Sequence, residues 1–323
     1  MPSGSGQADR PELSLVVPFF NEAGGVETFF KELIPVLTEE GYGYEVICVN
    51  DGSADLTMPA LLKAREANKR IRILQLSRNF GKEIALTAGI EHARGKAVIP
   101  LDADLQDPPR LIPYLVAKWR DGYQVVTARR AERLSDSWMK RTTAKAFYRI
   151  FNVISETPIP ENTGDFRLLD REVVEALKTL PERDRFMKGL FAWVGYRTTE
   201  ITFERPARAT GESSWNYWKL INFAIGGVTA FSTFPLRLFN YLGLGVALLS
   251  FVYASFLVAY TLFLGRDVPG YASIMVVMLF LGGIQLIGIG VIGEYVGRIF
   301  LESKQRPLYL VQGRYGFGED DSA

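Results

Sequence analysis

An α/β domain on a mostly parallel, Rossmann-like sheet, followed by surface-lying helices and a two-helix transmembrane hairpin, is the architecture this sequence predicts. Three observations lead there. Short β-branched apolar runs alternate with longer stretches of helical period up to about residue 205. Polar residues gather just after those runs. Beyond about residue 210 two long stretches carry no charge at all.

The strands are LSLVVPF, YEVICVN, IRILQL, KAVIPLD and QVVTA, with helical stretches such as Gly25–Thr38 and Gly81–Ala93 between them. Strands that are apolar throughout are buried on both faces, as in a parallel sheet whose crossover connections are helices. Open sheets of this kind bind ligands beyond the carboxyl ends of their strands. The polar clusters fall at those ends: Asn21 and Glu22 after the first strand, Asp51 after the second, Ser77–Asn79 after the third, Asp102–Asp107 after the fourth. Four such clusters on one rim make a site. In IPLDADLQDPP (residues 99–109), Asp and Pro are ordinary turn residues, but the close carboxylates also suit a cation that prefers oxygen ligands.

Leu238–Gly265 and Val268–Gly293 contain no Asp, Glu, Lys or Arg, and each exceeds the roughly 20 residues that cross a hydrocarbon core. Only Arg266 and Asp267 separate them, so the pair reads as a tight hairpin over residues 237–297. Lys219 and Arg237 precede it, and Arg298, Lys304, Arg306 and Arg314 follow it. The positive-inside rule then sets both ends in the cytoplasm of a plasma or inner membrane, with the globular domain beside them. Between domain and hairpin, residues 211–236 hold Trp215, Tyr217, Trp218 and Lys219 before an uncharged run too short for a comfortable span. They read as amphipathic helices lying on the bilayer, with a third span as the alternative. The domain itself spans residues 13–210. Residues 1–12 read as a flexible start without the apolar core of a secretory signal, and residues 298–323 as a cytoplasmic tail.

The chain has 323 residues, 48% of them apolar and 23% charged, which suits a substantial core. Its net charge of +1 excludes a protein that coats nucleic acid. The single cysteine, Cys48, sits in an apolar run and reads as core, so neither a disulfide framework nor a zinc site is available. The single histidine, His92, reads as a surface residue, which leaves Ser-His and Cys-His chemistry without support.

Six segments in order, VVPFFNE, VNDGSAD, LSRNFGKE, LDADLQDPP, TGDFRLLDR and GEYVGRIFLESKQRPLY, resemble the polyprenyl-phosphate glycosyltransferases. These are inverting enzymes of glycosyltransferase family 2 with a GT-A fold, and include bactoprenol glucosyltransferases and dolichol-phosphate mannose synthases. The resemblance runs from about Leu13 to Tyr309. It implies a nucleotide-sugar donor, UDP-glucose in the first instance, a polyprenyl phosphate acceptor, and Mg²⁺ or Mn²⁺ as cofactor. It implies that Pro18, Asn21 and Glu22 bind the nucleotide and that Asp51 meets the base or ribose. It implies that Asp102 and Asp104 hold the sugar-nucleotide and its cation, with Gln106 completing the metal shell. Arg208 is implied to reach over the donor diphosphate. Asp165 corresponds to the acceptor side of the reaction centre, as base or as positioning carboxylate. The acceptor phosphate is an anion that guanidinium groups grip well, and TARRAERLSDSWMKR offers Arg129 and Arg133 for it.

Two departures weaken the inference about the nucleotide: Asn50 stands where the family commonly has a second aspartate, and Ser214 where it has a lysine. Other donors, GDP-mannose or a UDP-aminosugar, therefore stay open, as does a homo-oligomeric assembly. A processive polysaccharide synthase lacks support, since no Gln-x-x-Arg-Trp motif occurs and two spans are few for a pore. A non-catalytic nucleotide-sugar-binding membrane scaffold is the rival from another class.

Overall fold

The computed structural model describes residues 10–130, 163–183, 185, 187–203, 232–264 and 270–318. They divide into two compact units, one holding most residues before 216 together with those from Arg306 onward, the other holding the long apolar helices.

In the first unit the five expected strands form where the apolar runs lie: β1 (Leu13–Phe19), β2 (Tyr44–Asn50), β3 (Ile71–Leu76), β4 (Ala97–Pro100) and β5 (Val125–Arg130). β6 (Thr163–Asp170), β7 (Thr198–Phe203) and β8 (Val311–Tyr315) complete a sheet of order β7-β5-β6-β4-β1-β2-β3-β8. β1 pairs in parallel with both β2 and β4, β2 with β3, and β5 with β7. β6 runs antiparallel to β4 and β5, and β8 antiparallel to β3. The sheet is thus mostly parallel, with two reversed strands.

Helices α1 (Val26–Glu39), α2 (Thr57–Ala67), α3 (Lys82–His92) and α4 (Ile112–Arg120) are the crossovers. α5 (Arg171–Thr179) and α6 (Met187–Trp193) follow β6. Every residue of β2 and β4 is buried, as strands covered on both faces must be. α1 places Phe29, Phe30, Leu33 and Leu37 on the core at helical spacing, where Phe29 meets Phe19 of β1 edge-on at 5.7 Å. α3 packs so closely that a Cβ on Gly89 would come within 2.2 Å of Val16 Cγ1, so a side chain there would push the helix off β1. Asp170 ends β6 and caps α5, its carboxylate accepting the Glu172 N–H at 2.9 Å. Cys48 is fully buried, and burial raises its thiol well above the ordinary range.

Two expectations change. The segment after residue 297 is more than a tail: β8 hydrogen-bonds along the β3 edge. The Arg72 guanidinium, ion-paired to buried Glu45 at 2.6 Å, also donates to the Gly316 carbonyl at 3.0 Å. His92 is half-buried rather than a plain surface residue, its ring packed against Phe317 and Tyr309 of this returning segment. Burial lowers the imidazole's proton affinity there.

The second unit contains α7 (Phe234–Leu264) and α8 (Tyr271–Ser303), each extending beyond the expected limits of the hairpin. Within them Leu236–Tyr260 and Ser273–Ser303 are long and apolar enough to cross a membrane. Leu249, Phe251, Phe263, Val276 and Leu286 are exposed, a surface that water does not favour and lipid does. Within the unit the Tyr295 hydroxyl donates to the Ser232 carbonyl at 2.6 Å, and Gly288 leaves room for the Phe239 ring. The expected interfacial helices of 211–236 lie almost wholly outside the described residues.

Candidate active site

The ends of the parallel strands open onto a cavity of about 520 Å³ lined by Pro18, Phe19, Phe20, Glu22, Asp51, Asn79, Gly81, Lys82, Asp102, Ala103 and Asp104. Four separate loops contribute, and each is held by hydrogen bonds the sequence supplies locally.

After β1, Asn21 turns the chain through a left-handed conformation (φ 53°), tolerable for Asn because its short amide finds a local partner. Its side-chain oxygen accepts the Ala54 N–H at 2.9 Å, and its own N–H donates to Ser53 Oγ at 3.0 Å. Asn21 therefore fastens the first loop to the second, while Pro18 and Glu22 face the cavity. Desolvation, then the nearby Asp104 and Asp55, raises the Glu22 carboxyl above its ordinary value.

After β2, Asp51 is buried, and its two oxygens accept the N–H groups of Phe80 and Gly81 at 2.7 and 2.9 Å. The carboxylate lines the cavity and at the same time ties the third loop to the second. Gly52 (φ +66°) follows; a Cβ there would stand 2.3 Å from the Arg78 carbonyl carbon. Only glycine fits so close an approach of two backbones.

After β4, the loop turns through Leu105 at φ 54°, a left-handed conformation that costs a branched residue about 1–2 kcal/mol. The turn is braced by Asp104 Oδ1, which accepts the Gln106 N–H at 3.1 Å. The two prolines end it, with Pro109 opening a single 3₁₀ turn ahead of α4. Asp102 is partly buried and Asp104 exposed, both facing the cavity.

Asp165 arrives from another direction. Because β6 is antiparallel to β4, with Ala97 opposite Asp170 and Val98 opposite Leu169, its first residues return to the rim where β4 ends. Lys82, the first residue of α3, joins the two: its Nζ lies 2.7 and 2.8 Å from the Asp102 oxygens and 2.7 Å from Asp165 Oδ2. Burial by itself would lower the lysine, but the two carboxylates hold it above its ordinary range. Asp102 is raised, chiefly by desolvation and in spite of Lys82. Asp165 is lowered; burial opposes that, and the positive charges of Lys82, Lys188 and Arg167 outweigh it. Its Oδ1 and Arg167 Nε are both buried and have no hydrogen-bond partner among the described residues. Beneath them, burial and the Asp165 charge push the Glu83 carboxyl up to about 7, and burial pulls Arg167 down to about 10.

The structure thus brings Pro18, Glu22, Asp51, Asp102 and Asp104 to one cavity and Asp165 to its edge through Lys82. Arg129, near the end of β5, is instead paired with Glu200 of β7 at 3.2 Å and does not line the cavity. Arg133 and Arg208 lie outside the described residues. Lys82 was missed by sequence reasoning, although LSRNFGKE was singled out. A lysine opening a helix carries no sign of its partners, which come from β4 and β6.

The donor set fits a Mg²⁺ or Mn²⁺ ion. Asp102 and Asp104 offer hard oxygens to an open cavity, and such ions are held by one or two carboxylates plus substrate phosphates and water. No cluster of three or more His, Cys, Asp or Glu suited to a metal occurs among the described residues, so the substrate would complete the shell. The Gln106 side chain has no described contact with this pair.

Comparison with known proteins settles the family. Residues 14–178 match Glycosyl transferase family 2. The chain belongs to that family. Residues 234–299 of this glycosyltransferase match the GtrB C-terminal hairpin, the stretch holding α7 and most of α8. It is 58% identical over 305 residues to an uncharacterized glycosyltransferase of Synechocystis sp., covering 94% of this chain and 96% of that one. It is 49% identical over 301 residues to the bactoprenol glucosyl transferase of Shigella phage SfV (93% and 98% covered). It is 46% identical to a prophage bactoprenol glucosyl transferase homolog of Escherichia coli K12, over 93% and 98% of the two chains. The GT-A architecture expected from the sequence is therefore that of a family 2 glycosyltransferase.

Proposed function

We propose that this glycosyltransferase moves glucose from UDP-glucose to a polyprenyl phosphate, with inversion at C1, at the cytoplasmic face of the membrane. One observation carries the reading: the Lys82 ammonium touches both Asp102, in the donor cavity, and Asp165, at its edge, so the two ends of a transfer reaction would meet within one ammonium's reach. Near-full-length similarity to bactoprenol glucosyl transferases supports the choice of acceptor and sugar.

In this reading Pro18, Asn21 and Glu22 border the nucleotide, and Asp51 fixes the loops around the base and ribose. A divalent ion held by Asp102 and Asp104 would supply neutralisation of the departing diphosphate. Arg208 and Gln106 are assigned to the same diphosphate and ion. The acceptor phosphate is already anionic near neutral pH and needs aiming more than deprotonation, the task given to Arg129 and Arg133. Asp165 then serves as a positioning carboxylate: one oxygen is taken by Lys82, the other is sealed, and nearby cations make it a poor base. An acceptor oxygen attacking C1 from the side opposite UDP gives the inverted product.

Chain connectivity supports the membrane topology. α7 and α8 lie between β7 and β8, two strands of one sheet, so a chain that leaves after β7 must return to the same side. Two crossings satisfy this and three do not, which favours the hairpin over a third span in 211–236. A polyprenyl tail resists leaving the bilayer at about 0.8 kcal/mol per CH₂ exposed to water, so the enzyme has to work at the headgroup. The test is turnover by the purified full-length protein with UDP- and GDP-sugars and a short polyprenyl phosphate, with the anomeric configuration read by NMR. No transfer from any donor, or a retained configuration, would overturn the assignment.

A further inference from the structure

We propose that Lys82 is a built-in counter-cation of the donor site, neutralising Asp102 and Asp165 until a nucleotide diphosphate arrives, so that the divalent ion enters with the donor rather than ahead of it. This rests on the metal-dependent transfer proposed above and adds an order of binding to it.

The geometry is that of an ammonium shared by two carboxylates. The Lys82 Nζ lies within 2.8 Å of both Asp102 oxygens and of Asp165 Oδ2, and donates one hydrogen bond to each residue. Two of its three N–H donors are thus committed to carboxylates, and the side chain serves as their counter-charge. Its place is fixed from both sides. Asp51 holds the preceding Phe80 and Gly81 N–H groups, and Lys82 itself opens α3, whose next turns are buried against the sheet.

The charge balance gives the consequence. Asp102, Asp104, Asp165, Glu22 and Glu83 crowd this end of the sheet; Lys188 and Arg167 act on Asp165, and Lys82 is in direct contact with both Asp102 and Asp165. An ion seated on Asp102 would lie a few ångströms from a fixed positive charge that already occupies both oxygens. A diphosphate brings two or more negative charges to the same place and reverses that balance. Metal and nucleotide would therefore bind with positive coupling, each improving the other by the same factor.

The test is Mn²⁺ binding to the full-length protein in detergent, read from the EPR signal of free Mn²⁺, with and without UDP. In Lys82→Met, nucleotide-free affinity should tighten by about tenfold, the scale expected for removing one like charge beside a half-exposed site. The improvement that UDP brings should shrink by the same factor, and kcat should fall because Asp165 loses its anchor. Lys82→Arg, which keeps the charge, should retain weak nucleotide-free binding. If Lys82→Met does not fold, Lys82→Met combined with Asp165→Asn removes the repulsion left behind and gives the same readout. Unchanged nucleotide-free affinity, alongside UDP-promoted binding in the wild type, overturns this inference alone. A wild-type protein that binds no Mn²⁺ even with UDP would overturn the metal-dependent reading itself.

Discussion

Replacing Gly52 by alanine tests how the site is built. The residue has φ +66°, where a Cβ costs about 1–2 kcal/mol. That Cβ would also stand 2.3 Å from the Arg78 carbonyl carbon, 2.5 Å from the Asn79 nitrogen and 2.7 Å from Arg78 Cα. These are backbone atoms, so no rotamer change relieves the clash. Restoring ordinary contact near 3.4 Å needs the loop at 78–79 to move by about 1 Å. Overpacking of this kind costs about 1–3 kcal/mol. The two terms together, about 2–5 kcal/mol, predict a loss of about 4–20 °C in Tm for a unit of this size. The same loop runs through the N–H groups held by Asp51 into Lys82, so the shift reaches the Lys82–Asp102–Asp165 contacts. Misplacement by about 1 Å at a reacting centre can cost about 100-fold in rate, so turnover should fall by roughly that factor. The assays are thermal unfolding in detergent and UDP release with lipid phosphate present. A Gly52→Ala protein with wild-type Tm and wild-type turnover would show that the second and third loops do not depend on their close approach.

Asp104→Asn should remove most turnover and weaken Mn²⁺-dependent UDP binding, and full turnover in EDTA would refute the metal role. Arg129→Ala should reduce transfer to lipid phosphate while leaving UDP-glucose affinity nearly intact. Because Arg129 is paired with Glu200, Glu200→Gln separates the possibilities: an equal loss in both variants means that Arg129 acts through the ion pair. Glu83 has its carboxyl raised from 4.5 to about 7, so between those values the folded protein holds a proton that the unfolded chain has released. Stability should therefore decline as pH rises through that window, and Glu83→Gln should flatten the decline in Tm measured from pH 5 to 8; equal slopes would refute it. Cysteine reporters at Gly270 and Gly318 in sealed vesicles should label from opposite sides of the membrane, and labelling from one side would refute the hairpin.

Much of the molecule is decided by local pattern. Apolar runs covered on both faces must be interior strands, and β1 to β5 lie where LSLVVPF through QVVTA predict them. Two long stretches without charge suit only an apolar surrounding, and they became α7 and α8. The rim position of Glu22, Asp51, Asp102 and Asp104 follows from lying within four residues after the ends of parallel strands. Tertiary structure decided what depends on pairing between distant segments. That β6 runs antiparallel, and so returns Asp165 to the end of β4, is a matter of register that no spacing within TGDFRLLD specifies. That residues after the hairpin form β8 on the β3 edge depends on an edge being open, which is a property of the assembled sheet. The most informative contact, Lys82 between Asp102 and Asp165, joins residues 20 and 83 positions apart. A charge in a sequence carries no partner with it, because Coulombic and hydrogen-bonding choices are made by distance and burial, and both exist only once the chain has folded.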